Sequence, residues 1–277
     1  MSNATLPRIA VLMAAHNRRD FTLRALRSLA ASRLVFDLKI ILFDDGSTDG
    51  TASAVQAACP GAVVLPGDGN AYWNGGMYRA WSHALTLAFD GYLWLNDDVA
   101  LDPDALAALA QEWRNRGSGK EPCILVGATR DDQGNLSYGG QKLVRTPFAL
   151  RFERLPLTDT VHEVETFNGN IVLVSKATVD RIGINDPGFL HALGDLDYGL
   201  RASRAGIPAL VMPRTLGVCN NNQSIRFDTG SLRERWRKIT SHRGIPLRNW
   251  WRITRRYSGF WMPFHFVLPY RRIFFDR

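Results

Sequence analysis

The 277-residue chain predicts an α/β fold, a mostly parallel central sheet flanked by helices, with a basic helical extension at its C-terminal end. Three observations predict it. Short apolar runs alternate with amphipathic stretches over residues 8–127, the pattern of strands joined by helical crossovers. The early apolar runs end abruptly in polar clusters, as strands do where a crevice opens at the carboxyl ends of a sheet. From Ser231 onward the chain holds 12 Lys/Arg against 2 Asp/Glu, while the remainder carries 22 basic and 24 acidic residues. The net charge of +8 therefore belongs to the tail. Such asymmetry points to an anionic surface as partner.

The elements follow in order. Residues 8–14 read as a buried strand, leading through Ala15-His16-Asn17 into a helix over 20–32 with Phe21, Leu23, Leu26 and Leu29 as its apolar positions. Residues 38–43 form a second strand ending in Asp44-Asp45, and Ser47 or Thr48 is the expected N-cap of a helix through residue 58. A third strand, 62–65, precedes a glycine-punctuated loop over 67–76 and a helix to residue 89. The run 91–95 is a short buried strand closed by Asn96-Asp97-Asp98, followed by a helix from near Pro103 through 114 and a strand at 123–127. Residues 141–167 read as extended pieces broken by Pro147 and Pro156. A strand at 171–174, a helix to 182, a helix to 205 and a strand at 209–212 complete the catalytic-sized domain, placed at 1–225, with the tail at 226–277.

Composition excludes several classes. No apolar run approaches the ~20 residues of a membrane span, and the apolar start is too short for a signal peptide. Cys59, Cys123 and Cys219 show neither metal spacing nor an even disulfide set, so a reducing, cytoplasmic location is expected.

Chemistry is expected where adjacent acids close a buried strand, because a desolvated carboxylate requires a cation or donors. Asp97 and Asp98 suit Mg²⁺ or Mn²⁺ with phosphate oxygens completing the shell; the plainer duty for Asp98 or Asp102 is to cap the next helix. Parallel strands put His16-Asn17, Asp44-Asp45, residues 70–76 and Asn96-Asp97-Asp98 on one side of the sheet.

These clusters resemble the family 2 glycosyltransferases, whose nucleotide-sugar-binding fold is the Rossmann-like GT-A fold. The resemblance spans roughly residues 8–215 and rests on DDGSTDGT from Asp44 to Thr51, NDD from Asn96 to Asp98 and GDLDYGLR from Gly194 to Arg201. WNGGM, from Trp73 to Met77, is similar to rhamnosyltransferase-like members of bacterial polysaccharide pathways. The family usually shows Asp-x-Asp where this chain has Asn96, which leaves the metal site one charge short. The resemblance implies that Ala15, His16 and Asn17 line the base and ribose pocket. It implies that Asp44 or Asp45, Asp44 by preference, accepts from the N3–H of uracil or thymine, where cytosine would present a lone pair. Asn70, Trp73, Gly75 and Asp97 join the donor site, with Asp98 and Asn96 at the metal. The partners implied are a nucleotide-diphosphate sugar and a glycan or lipid-linked acceptor, with no nucleic acid. The tail adds an anionic membrane surface, so a peripheral position at the inner face of the membrane is expected.

Inverting transfer requires a carboxylate to take the acceptor hydroxyl's proton. Asp197 sits four residues before Arg201, where an ion pair is its simplest duty. Asp195 matches the family's acidic position and is the expected base; an N-cap is its alternative duty. Asn168, Gly169, Asn170, His191 and Asp197 are the expected acceptor or sugar contacts. In the tail, Trp and Phe interleave with Arg, which suits a membrane interface or helices packed over the acceptor site. Two rival functions share parts of this pattern. A sugar nucleotidyltransferase would carry a glycine-rich loop after the first strand, and residues 14–20 contain no glycine. A non-catalytic nucleotide-sugar or glycan-binding module is compatible with Asn96.

Overall fold

Alternation along β1 (Arg8–Ala15) sets the layers of the molecule. Ile9, Val11 and Met13 bury into one side of the sheet, and Ala10, Leu12 and Ala14 into the other. The computed structural model describes residues 6–32, 35–220, 230–242 and 244–274. After β1 come α1 (Arg19–Ala31), β2 (Asp37–Asp44), α2 (Thr51–Ala58), β3 (Val63–Pro66), α3 (Tyr72–Ala84), β4 (Gly91–Leu95), β5 (Ala100–Leu101), α4 (Ala105–Asn115) and β6 (Ile124–Arg130). Then follow β7 (Leu136–Tyr138), β8 (Gly140–Thr146), β9 (Ala149–Arg154), β10 (His162–Val164), β11 (Thr166–Phe167), β12 (Ile171–Ser175), α5 (Lys176–Ile182), α6 (Gly194–Arg204) and β13 (Ala209–Val218). The C-terminal segment contributes α7 (Leu232–Ile239), α8 (Leu247–Tyr257) and α9 (Met262–Val267), with 3-10 turns at Gly259–Trp261 and Leu268–Ile273.

The main sheet runs β10-β13-β6-β12-β4-β1-β2-β3. Pairing is parallel between β4, β1, β2 and β3, and again between β13 and β6. β12 lies antiparallel between β4 and β6, which departs from a wholly parallel alternation. A parallel return needs a crossover, usually helical. Here the chain between β6 and β12 makes hairpin strands, with β8 and β9 pairing antiparallel, and re-enters from the opposite end.

α1 and α4 cover one face through Leu26, Leu29, Leu106, Leu109 and Trp113. α3 and α6 cover the other, where Trp81, Trp94 and Tyr198 meet with ring centroids 5.2–5.3 Å apart. That aromatic contact seats α6, and with it Asp195, against the carboxyl half of the sheet.

Several local expectations are corrected. α3 ends at Ala84, well short of residue 89. Neither Ser47 nor Thr48 caps α2; the N-cap is Gly50 at φ +82°, and Asp49 Oδ1 accepts from Thr51 N (3.0 Å). α4 takes Asp104 as N-cap, without a side-chain bond. Asp102 instead forms a fork with Arg130 at 2.7 and 2.8 Å.

The C-terminal helices share a core with the β8–β9 hairpin and α6. Ile239, Trp250, Ile253, Tyr257, Tyr270 and Ile273 bury against Leu143, Leu150, Phe189 and Leu200. The expected boundary at residue 225 lies outside the described residues. Asp197 is fully buried at the centre of this junction. Its carboxylate faces Arg201 Nε (3.2 Å) as the spacing implied, and also Arg256 Nη1 (2.7 Å) and Tyr257 Oη (2.9 Å). The sequence-level placement of Asp197 among acceptor contacts is therefore corrected, because a carboxylate with no exposed surface and three donors serves the fold. Removing one member of a buried ion pair typically costs 3–5 kcal/mol. Asp197→Ala is expected to lose about that much in urea unfolding and to expose the C-terminal helices to limited proteolysis. A loss under about 1 kcal/mol would contradict this assignment.

Candidate active site

The carboxyl ends of β1 and β2 meet in a hydrogen-bonded pair of loops. His16 Nδ1 lies 2.6 Å from the Asp45 carbonyl oxygen. Asn17, at φ +52°, donates its N–H to Ser47 Oγ (2.8 Å) and accepts from Thr48 N (2.7 Å) through Oδ1. Asp44 is buried, and among the described residues its carboxylate accepts only the Ser47 N–H, at 3.3 Å. It borders a cavity of about 550 Å³ whose lining includes Ser47, Ser53, Gln56, Val64 and Gly67. Ala15 is buried directly beneath.

Asp45 does different work. Its carboxylate collects backbone N–H groups from Gly69 (3.0 Å), Ala71 (3.0 Å) and Tyr72 (2.9 Å), tying the 67–76 loop to β2. Gly46 permits this approach, since a Cβ there would stand 2.8 Å from Gly69 N. The N–H groups of Asn74 and Gly75 go to the Leu190 carbonyl, and that of Asn70 to Asp68. The Asp45 carboxylate and the backbone N–H groups of Asn70 and Gly75, expected at the donor, are engaged here in holding the loop together.

The acid pair ending β4 converges on a residue the sequence reading passed over. Arg18 places Nη2 2.9 Å from Asp98 Oδ2 and Nε 3.2 Å from Asp97 Oδ2. Asp98 also receives the Cys219 thiol at 3.4 Å. Burial pushes the Asp97 carboxyl up to about 7, against the opposing pull of Arg18. Asn96 turns its Oδ1 to the Trp73 indole N–H (2.7 Å) and its backbone N–H to the Asn170 carbonyl (3.0 Å). Two carboxylates already focused on one positive group fit a hard divalent cation. Asn96, also expected at the metal, has its amide oxygen engaged with the Trp73 indole N–H. Among the described residues, no group of three His, Cys, Asp or Glu side chains is assembled as a metal cage.

Asp195 stands at the start of α6, where Leu193 is the N-cap residue. Its carboxylate accepts from Gly169 N (3.0 Å) and Leu196 N (2.9 Å). Part of the residue stays open to solvent, yet the atoms crowded round the carboxyl give burial the larger effect, and its affinity for a proton is raised. The Gly169 and Leu196 N–H groups and the Asn168 side chain oppose that shift. Asn168 Oδ1 is itself held by Gln141 Nε2 at 2.6 Å. Gly169 bonds Asp195 while its neighbour Asn170 bonds Asn96, so one turn joins the α6 carboxylate to the acid pair. His191 contributes a ring contact, its centroid 6.2 Å from Tyr72 and 5.6 Å from His242 of the C-terminal segment.

Known proteins share this fold. The profile of Glycosyl transferase family 2 matches residues 10–162, more than half of the chain. The chain belongs to that family. A curated relative, N-acetylglucosaminyl-diphospho-decaprenol L-rhamnosyltransferase of Mycobacterium tuberculosis, is 27% identical over 260 residues, covering 83% of this chain and 81% of its own. Among solved structures, mannosyltransferase PcManGT from Pyrobaculum calidifontis, in complex with GDP-Man and Mn²⁺, aligns at TM-score 0.53 and 16% identity over 97% of this chain and 70% of that one. GalNAc-T7 with UDP, GalNAc and Mn²⁺ aligns at TM-score 0.60 and 12% identity, over 97% and 54%. These structures share the GT-A fold with the family 2 chain described here.

Two residues of this glycosyltransferase escaped the sequence reading. Arg18 reads as an ordinary helix-entry cation, and its partner Asp98 lies 80 residues away. Asn74 is fully buried; its Nδ2 donates to the carbonyls of Asp186 (2.9 Å) and Phe189 (2.6 Å), and its Oδ1 accepts from Asn185 Nδ2 (2.9 Å). A Cβ on Gly194 would overlap the Asn74 side chain, so the loop leading to Asp195 is fitted around it. The only sequence signal was a polar residue in the apolar stripe of a helix.

Asp97 yields a pH prediction. An unfolded Asp titrates near 3.9, and the native carboxyl near 7. Between those values the native state holds a proton that the unfolded chain has released, so stability falls as pH rises through the window. Tm measured from pH 4.5 to 7.5 is expected to decline less steeply in Asp97→Asn than in the unsubstituted protein. Identical slopes would refute the raised carboxyl.

Proposed function

We propose that this family 2 glycosyltransferase moves a sugar, with inversion, from a UDP- or dTDP-sugar to a hydroxyl of a lipid-linked diphosphate acceptor in cell-surface polysaccharide synthesis. The observation that carries the reading is the turn 168–170, which bonds Asp195 on one side and Asn96 on the other, setting a lone carboxylate beside a paired-acid site. The cavity beside Asp44 supports a nucleoside pocket there, and the His16-Asn17 loop is hydrogen-bonded to the neighbouring Asp45 and Thr48. Asp44 retains acceptor capacity for the N3–H of uracil or thymine. Asp97 and Asp98 are the residues that would hold a divalent cation, whose chemistry when bound is to stabilise charge on the departing diphosphate. The relative's decaprenol-linked substrate supports the acceptor class, and through it a peripheral position at the membrane.

In the mechanism this reading implies, Asp195 takes the acceptor hydroxyl's proton as the oxygen attacks the anomeric carbon. Its N–H donors keep enough of it ionised to act, and its burial strengthens it as a base. Trp73, locked by Asn96 and packed 5.9 Å from Trp94, walls the crevice between the two carboxylate sites.

Turnover tests the assignment. With a dTDP- or UDP-sugar and a polyprenyl-diphosphate-sugar acceptor, Asp195→Asn should lower kcat by about 10²–10⁴-fold. UDP or dTDP affinity, read by calorimetry, should hold. Near-normal turnover in that variant would remove Asp195 as base. Nucleotide-sugar binding without any transfer would favour a binding module.

A further inference from the structure

α8 divides its two faces between packing and solvent. Trp250, Ile253, Thr254 and Tyr257 are buried. Arg248, Trp251 and Arg255 are exposed on the other face, at the (i, i+3, i+7) spacing of one helical stripe. With Arg252 and Arg256 they line a cavity of about 480 Å³. Arg256 is committed to Asp197 and Asp186, and Arg252 lies 3.8 Å from Asp186. Among the described residues Arg248 and Arg255 face no carboxylate within ion-pair distance.

Trp251 links this basic cavity to an apolar ridge. Its ring lies 5.2 Å from Phe266, and the chain beyond α8 exposes Phe260 (87%), Phe264 (56%) and Val267 (63%). Trp261 bridges Phe260 and Phe264 at 5.7 and 5.9 Å. Among the described residues no helix is long and apolar enough to cross a membrane. An aromatic ridge beside arginines suits the depth of lipid headgroups, with rings among the acyl chains and guanidinium groups at phosphate level. The opposite side of α8 touches the catalytic region: Asn249 Nδ2 donates to the Ala192 carbonyl (3.0 Å), three residues before Asp195, and Tyr257 and Arg256 hold Asp197.

We propose that the cavity of Arg248, Arg252 and Arg255 around Trp251 binds the diphosphate headgroup of the lipid-linked acceptor, while the Phe260–Phe264 ridge enters the bilayer. The inference rests on the acceptor class given above. Arg248 and Arg255, which face no carboxylate among the described residues, match the two negative charges of a diphosphate diester, and guanidinium is the side chain best shaped for bidentate phosphate contact. Binding here holds the lipid-linked acceptor on the outer face of α8, the helix whose inner face is bonded to the Ala192 carbonyl.

Vesicle flotation tests it, using the full-length protein with three vesicle types: phosphatidylcholine alone, phosphatidylcholine with polyprenyl diphosphate, and phosphatidylcholine with phosphatidylglycerol at equal surface charge. The diphosphate vesicles should bind most tightly. Arg248→Gln combined with Arg255→Gln should weaken that binding about tenfold or more, and Phe260→Ser with Phe264→Ser should weaken binding to every vesicle. Both variants should keep the parent Tm and UDP or dTDP affinity, because the substituted side chains are exposed. Equal binding to phosphatidylglycerol vesicles would reduce the cavity to a general anionic contact and overturn the proposal. So would unchanged binding by the arginine variant, or inorganic diphosphate binding as tightly as the lipid. Transfer in detergent separates the two readings: transfer without headgroup binding sinks this inference alone, and headgroup binding without transfer sinks the enzymatic reading alone.

Discussion

A carboxylate with no access to water governs how the second half of this molecule is assembled. Asp197 is tolerable inside the protein only because Arg201, Arg256 and Tyr257 surround it. Arg201 comes from the same helix, but the other two come from α8, some 60 residues on. Satisfying one buried charge thus fixes α8 against α6. Arg256 also reaches Asp186, so the loop before α6 is captured in the same network. Two residues earlier on α6, Asp195 inherits a fixed position without giving up its own carboxylate to an ion pair.

The paired acids at the end of β4 solve the same problem by a different route. Asp97 and Asp98 share Arg18, which sits a third exposed and belongs to the opening turn of α1. One guanidinium between two carboxylates leaves the site with net negative charge when both are ionised, and burial, with a smaller push from Asp98, raises the proton affinity of Asp97. A site of that kind rewards the arrival of further positive charge. The contrast with Asp197, where cations outnumber the carboxylate, separates the structural acid from the acids available for chemistry.

Much of the fold was legible because periodicity is a local property. β1, β2, β4 and β6 announce themselves as apolar runs, and the polar clusters closing them do share one end of the sheet. The antiparallel entry of β12 was not legible, since its direction depends on the hairpin path between β6 and β12 rather than on its own residues. Within the site, Asp44 and Asp45 look alike in sequence. Only the structure shows that Asp45 gathers the N–H groups of Gly69, Ala71 and Tyr72 while Asp44 borders the cavity. Arg18 and Asn74 were missed for the same reason: both act on partners far away along the chain. The tail posed a choice between packing and membrane contact; α8 does pack, with Trp250 buried, and leaves the neighbouring Trp251 exposed.

Transfer by single displacement, with Asp195 activating the acceptor, is tested most directly by the stereochemistry of the product. The anomeric configuration of the newly formed glycoside, read from the one-bond C1–H1 coupling in NMR of the purified product, should be opposite to that of the nucleotide-sugar donor. Retention of the donor's configuration would contradict the account, because a lone base beside the acceptor cannot produce it in one step.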